Sequence, residues 1–259
     1  MSTANNINFN RKYTIFANSD YSTAYNAYRP VYSSSLYSKI YAYHSSHSSS
    51  FSTALDVATG TVSSPKNYQR LFNKSEDLSQ FQDSTFDLVT VGQAVHWFDN
   101  REKFFKEAWR ILKPRGTLAM WGYTYHVIDG YPDATKKFLK LGLEILRDYR
   151  DPVMLVIYNM YRDIIIPDRL FRNIIWERCE LNEKEGKMSN SESFLNEEWS
   201  VERTWSSYKS YMSKYRKENQ NLEDPIYRLF EELMEEEGWK DDQILKLSWP
   251  FVLVLAEKK

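Results

Sequence analysis

The residues best suited to chemistry stand where short apolar runs give way to turns. Ala54 to Ala58 is such a run, and it continues as Asp56-Val57-Ala58-Thr59-Gly60-Thr61. A glycine turn behind a strand brings backbone N–H groups against a ligand. Gly92-Gln93-Ala94-Val95-His96-Trp97-Phe98-Asp99 follows directly on a second run, Thr85 to Val91, and Trp121-Gly122-Tyr123 closes a third, Thr117 to Trp121. In open α/β sheets ligands bind beyond the carboxyl ends of the strands. These three strand ends therefore make up the candidate site. His44, His47, His96 and His126 show no ligand spacing, and Cys179 is the only cysteine. An intrachain disulfide and a cysteine-based metal cage are excluded, and no metal is expected.

The elements that must position these residues follow from pattern. Asn100 is placed to cap a helix whose apolar face is Phe104, Phe105, Ala108, Trp109 and Leu112, stopped by Lys113-Pro114-Arg115-Gly116. Strand, helix and strand joined by short loops predict a doubly wound α/β fold with a mainly parallel sheet. Residues 131–240 read as mainly helical, with helices over Pro132 to Asp148, around Ser200 to Lys217, and from Asp224-Pro225 to Gly238. Ile244 to Leu247 and Trp249 to Ala256 read as strands that pair as an antiparallel edge. The whole chain, 1–259, is expected to be one domain: an N-terminal cover at 1–50, a core sheet at 51–125, a helical lid at 126–240 and closing strands at 241–259.

Composition narrows the function classes. The 34 basic and 35 acidic side chains leave a formal charge of -1, so a nucleic-acid or anionic-membrane partner is not expected. The polar start, Met1 to Tyr13, and the lack of a long apolar stretch predict a soluble, cytoplasmic protein with no membrane partner. Glycine is scarce, 8 residues in 259, about half its average usage of roughly 7%. Any glycine-dependent cofactor loop must therefore draw on very few.

A further set of motifs runs in order along the chain. It comprises Tyr25-x-x-x-Arg29-Pro30-x-Tyr32, the LDVATGT of residues 55–61, Ser75-Glu76-Asp77-Leu78, the HWFD of His96 to Asp99, Leu112-Lys113-Pro114-x-Gly116-Thr117, Trp121-Gly122-Tyr123, Arg203-Thr204-Trp205-Ser206 and Trp249-Pro250. Together these resemble the class I S-adenosylmethionine-dependent methyltransferases, specifically the fungal trans-aconitate methyltransferase-like family, over nearly the whole chain.

The resemblance implies S-adenosyl-L-methionine as cofactor and a small-molecule acceptor, with formation of a methyl ester on a carboxylic acid as the expected reaction. It implies that Asp56, Ala58 and Gly60 flank the cofactor, that Asp77 lies near its adenine, and that Gln93, Ala94 and His96 line the side of methyl transfer. Arg29 would belong to the N-terminal cover, and Trp97, Trp121, Arg203 and Trp205 to the acceptor side. A guanidinium suits an acidic acceptor because it holds a carboxylate in bidentate fashion. A carboxylate needs no general base; for a hydroxyl or amine, His96 would be the residue to take the proton.

Simpler readings stand beside these. His96-Trp97 could pack at a helix start, Asp77 could cap a turn, Arg203 could be solvated or paired, and Trp205, Tyr208 and Met212 fall at core-stripe spacing. The chain also departs from the family pattern. Thr59-Gly60-Thr61-Val62 carries one glycine where the family has two or more, and only the eight residues Thr59 to Lys66 precede Asn67 to Phe72, which resembles the family's third strand. A parallel crossover needs about 10 to 12 residues or more. This implies an internal deletion that removes the second strand and its ribose-binding acid, a shortened sheet, and weak or lost cofactor binding. The alternative function is a catalytically impaired pseudo-methyltransferase.

Overall fold

The computed structural model describes residues 29–58, 76–149, 151–189, 193–211, 215, 218–219 and 224–259. The chain divides into two compact units, a larger one of Pro30–Thr59, Ser64–Trp199 and Ile244–Lys259, and a smaller one of Met1–Arg29, Gly60–Ser63 and Ser200–Gln243. The cofactor-loop glycine Gly60, the Asn67 to Phe72 segment and the proposed deletion lie outside the described residues.

The strands of the described residues are β1 Ala54–Asp56, β2 Phe86–Gly92, β3 Leu112–Tyr123, β4 Val127–Ile128, β5 Phe171–Cys179, β6 Leu181–Asn182, β7 Lys187–Met188, β8 Asn196–Ser200, β9 Ile244–Ser248 and β10 Phe251–Lys258. Five form the main sheet in the order β1-β2-β3-β10-β5. β1, β2 and β3 run parallel, while β10 is antiparallel to both β3 and β5. β5 therefore shares the direction of the first three. A strand buried on both faces reads as a continuous apolar run rather than an alternating one. That is the case for β2, buried from Phe86 through Val91, and for β10, buried at all eight positions.

Helices cover the sheet. In α1, Ser34–Ser45, Leu36, Ile40 and His44 are buried. α2, Arg101–Ile111, connects β2 to β3 and buries Phe104, Phe105, Ala108 and Ile111. Its first turn is capped as the sequence predicts: Asn100 Oδ1 accepts from Lys103 N at 2.8 Å. Between α2 and the regular part of β3 the register jumps, with Phe86 opposite Leu112 but Leu88 opposite Thr117. Lys113 to Gly116 loop out there, Arg115 taking a φ of 64°. A Cβ on Gly116 would stand 2.9 Å from the Lys113 carbonyl oxygen, so the tight loop requires glycine.

Two expectations are corrected. Residues 126–240 are not mainly helical, because β5 to β8 lie within them and β5 completes the main sheet. The closing strands do not pair with each other at an edge. β10 is enclosed between β3 and β5, and β9 joins a separate sheet of order β4-β9-β8. The expected Pro132 to Asp148 helix is α3, Pro132–Lys140, followed by a π turn over Leu141–Ile145 and a 3-10 turn at Arg147–Tyr149. α4, Met154–Tyr158, is a single short turn.

The smaller unit holds α5, Val201–Tyr211, and α6, Pro225–Glu237. Asp224 caps α6 by accepting from Ile226 N at 3.0 Å, Pro225 opens it, and Gly238 ends it at a φ of 66°. The acidic α6 buries Ile226, Leu229, Phe230 and Leu233, as its periodicity predicts.

Candidate active site at the carboxyl ends of the strands

The larger unit carries β1, β2 and β3 side by side, so Asp56, Gln93 and Trp121 fall at one edge of one sheet. Asp56 ends β1, and Thr90 of β2 donates to its Oδ1 at 2.7 Å. The chain then turns at Ala58, which adopts a φ of 60°. A left-handed alanine is uncommon, and such backbone states concentrate where structure over-determines them.

Gln93 repeats the device at the end of β2 with a φ of 51°. Its carboxamide is occupied: Nε2 donates to Tyr123 O at 2.9 Å and Tyr123 N donates to Oε1 at 2.7 Å. Its own backbone N–H donates to Trp121 O at 2.8 Å. Gln93 thus extends the β2–β3 ladder beyond the sheet and fixes the turn that carries Ala94.

Trp121 lies across the Gly92 position, where a Cβ would come within 2.9 Å of its ring. Its ring and that of Tyr32 are nearly perpendicular, their centroids 5.5 Å apart. The indole Nε1 is a buried donor with no hydrogen-bond partner among the described residues. The indole N–H groups of Trp109 and Trp239 are in the same state, so this feature does not single out the strand ends.

His96 sits in a 3-10 turn, Val95–Trp97, and is 1% exposed. Its Nδ1 lies 3.2 Å from the Tyr161 hydroxyl, which reaches Trp121 O at 3.4 Å. Burial, with the Arg101 guanidinium adding to it, lowers the imidazole pKa to about 3. Arg101 itself donates to His96 O at 3.1 Å and to Val95 O at 3.2 Å, holding the turn. Burial pushes the Tyr161 hydroxyl well above its usual range. A neutral imidazole with so low a pKa is a weak base near pH 7.

Asp77 is engaged in the turn that follows it. Its Oδ1 accepts from Ser79 N at 3.1 Å, and Lys103 Nζ lies 3.9 Å from Oδ2. The Ser79 bonds, with Lys103, hold its carboxyl below the usual range. Its neighbour Glu76 is the buried one at 7% exposure, with Oε1 accepting from Asp99 N at 2.5 Å and Asn100 N at 3.3 Å.

Arg29, Arg203 and Trp205 belong to the smaller unit. There the Arg203 N–H donates to Ser200 Oγ at 3.1 Å, and the Trp205 ring packs against Tyr227 and Phe230 of α6 at 6.2 and 6.1 Å. Trp97 is half-buried beside His96, the two rings 5.5 Å apart. Sequence reasoning missed Thr90 and Tyr161. Thr90 stands in the middle of an apolar run, a signal that could have found it; Tyr161 carries none.

Among the described residues no group of three or more His, Cys, Asp or Glu could hold a metal ion, and no helix is long and apolar enough to cross a membrane.

Comparison with known proteins bears on this sheet directly. Residues 36–120 match a family described as methyltransferase domain. A probable S-adenosylmethionine-dependent methyltransferase of Saccharomyces cerevisiae is 34% identical over 67 residues, 26% of this chain and 23% of that protein. A Dictyostelium discoideum protein named as a methyltransferase is 28% identical over 170 residues, 55% of this chain and 63% of that one. The chain thus spans less than two thirds of the length of either relative. A solved structure from Anaeromyxobacter dehalogenans, described as a type II methyltransferase, superposes with a TM-score of 0.64 at 18% identity, covering 88% of this chain and 97% of that one. The fold is that of the class I methyltransferases.

Proposed function

We propose that this chain is an S-adenosylmethionine-dependent methyltransferase that forms a methyl ester on a small carboxylic acid. The ends of β1 and β2 support the cofactor: two left-handed turns, at Ala58 and Gln93, end adjacent strands. These features fit the group. Asp56, Ala58, Gln93 and Ala94 would hold it, with Gly60, Asp77 and Arg29 assigned to it by resemblance alone. When bound, S-adenosylmethionine supplies a methyl group already activated by its sulfonium.

The buried, neutral His96 beside the Tyr161 hydroxyl is in keeping with an acceptor that needs no base. Its pKa of about 3 leaves it a weak base, and Tyr161 is held protonated beside it. A hydroxyl or amine acceptor would need a proton removed, whereas a carboxylic acid is already ionised at pH 7. The work left to the protein is alignment and exclusion of water. Trp97 and Trp121 would face the acceptor, and Arg203 and Trp205 are assigned to it by resemblance. No observation favours the catalytically impaired alternative; residues 59–75, on which it turns, lie outside the described residues.

S-adenosylhomocysteine should raise the melting temperature, and Asp56→Ala should abolish the shift while the variant still unfolds cooperatively. No shift at millimolar S-adenosylhomocysteine would overturn the proposal.

A further inference from the structure

The turn that follows β2 is buried, and side chains from outside it hold its backbone. Ala94, Val95, His96 and Phe98 are each no more than 6% exposed. Buried backbone groups have to be paired, yet a single 3-10 turn leaves its last carbonyls without helical partners. Arg101, the first residue of α2, pairs two of them: Nε donates to Val95 O at 3.2 Å and Nη2 to His96 O at 3.1 Å. Within the turn Trp97 N donates to Ala94 O at 2.9 Å and Phe98 N to Val95 O at 3.3 Å.

Two features set this arginine apart. A helix N-terminus carries partial positive charge and disfavours a cation in its first turn, so Arg101 stands against the preference of its own helix. Among the described residues it forms no ion pair, whereas Arg110 is held by Glu107 and Asp83, and Arg172 by Glu257. Its hydrogen bonds go to the backbone between β2 and α2 instead. A planar guanidinium with its donors in a fixed fork can bridge two neighbouring carbonyls, which the point charge of an ammonium does not reproduce. The same segment is held at its start by Gln93 on the Tyr123 backbone and at its end by Glu76 on Asp99 N.

We propose that Arg101 is a positioning residue for cofactor binding, fixing the turn at residues 94–98 in the conformation that lines the methyl-transfer side of S-adenosylmethionine. It rests on the function proposed above, and Arg101 acts through the turn rather than by touching the ligand.

Amide hydrogen exchange and calorimetric titration with S-adenosylhomocysteine, both on the full chain, test this. In Arg101→Met, which keeps an aliphatic stem and loses the fork, the Trp97 and Phe98 amides should exchange at least about tenfold faster while Val89 and Val91 of β2 stay within about twofold. Affinity for S-adenosylhomocysteine should fall about tenfold. Arg101→Lys keeps the charge without the fork and should weaken binding by about threefold or more. A purely structural role would leave the affinity of the folded protein unchanged, because the ligand binds the native state. If Arg101→Met does not fold, Arg101→Lys decides on the same two measurements. Affinity within about twofold of wild type in either folded variant overturns the positioning role, as does faster exchange that extends through β2. A wild-type chain that does not bind S-adenosylhomocysteine removes the function proposed above and this role with it; a wild type that binds, with variants that bind equally well, removes the role of Arg101 alone.

Discussion

The two ends of the main sheet use polar residues in opposite ways. At the amino end they saturate one another. Asp87 Oδ2 accepts from Ser52 N, Ser52 Oγ, Thr53 N, Thr53 Oγ1 and Lys113 Nζ at 2.9 to 3.0 Å. Nearby, the Thr117 hydroxyl stands between His44 Nδ1 at 2.8 Å and His47 Nε2 at 3.0 Å. Glu257, 1% exposed, is held by Arg172 at 2.5 Å and Asn173 at 2.7 Å. The carboxyl end turns its strands through Ala58 and Gln93 and borders a cavity. One end closes the fold; the other is shaped to receive something. Stability and ligand binding should therefore separate by end.

Asp87→Ala gives the largest expected effect. Burial alone would raise this carboxyl's pKa, but Lys113 and the serine and threonine donors outweigh it and hold the group well below the carboxylate range. Removing it takes the common acceptor from Ser52, Thr53 and the Lys113 ammonium at once, a loss of about 3 kcal/mol. Urea unfolding measures it, and the shift in melting temperature caused by S-adenosylhomocysteine should persist in the variant. A loss under about 1 kcal/mol would mean that the amino end is not the closed lattice described.

The share of the pH dependence carried by His96 alone should come next in size, and it tests the carboxyl end. His96 and His126 are both held neutral by burial, each with a pKa of about 3, against 6.5 for the unfolded chain. Below pH 6.5 the unfolded state takes up protons that the native state refuses. Stability is therefore full above pH 6.5 and falls as pH drops, by up to about 2 kcal/mol per histidine at pH 5. His47 at the amino end is shifted the same way by burial, with Glu257 opposing. Melting temperature between pH 7 and 5 should decline, and His96→Leu should flatten the decline. An unchanged slope would show that His96 does not stay neutral in the fold.

How much of this was legible in the sequence depends on what each element faces. β2 and α2 were readable because a strand buried on both faces and a capped amphipathic helix each carry a local signal. β10 was readable as a buried strand but not as an interior one, since an apolar run says nothing about its neighbours. β5 was missed because an edge strand presents charge to solvent: Arg172, Glu177 and Arg178 interrupt the pattern, and only Phe171 and Cys179 are buried. The strand-end positions of the site were legible from Asp56, Gln93 and His96. Their roles were not, because Gln93's clamp and the His96–Tyr161 contact join residues 30 and 65 positions apart. The left-handed Met160-Tyr161 pair leaves no mark in the sequence, since neither residue is glycine.

The smallest expected effect separates resemblance from geometry at one residue. Resemblance places Asp77 near the cofactor's adenine, whereas its carboxylate closes a turn on Ser79 N and faces Lys103 from an exposed position. The adjacent Glu76 is what ties this segment to the sheet's carboxyl end, through the backbone N–H groups of Asp99 and Asn100. Asp77→Ala should then leave S-adenosylhomocysteine affinity within about twofold, because rim contacts of an exposed carboxylate contribute little. Glu76→Ala, made in parallel, should lower the melting temperature by loosening the start of α2. A loss of affinity beyond about tenfold in Asp77→Ala alone would give Asp77 the ligand role that its turn geometry withholds, and would extend the receptive end of the sheet outward to this loop.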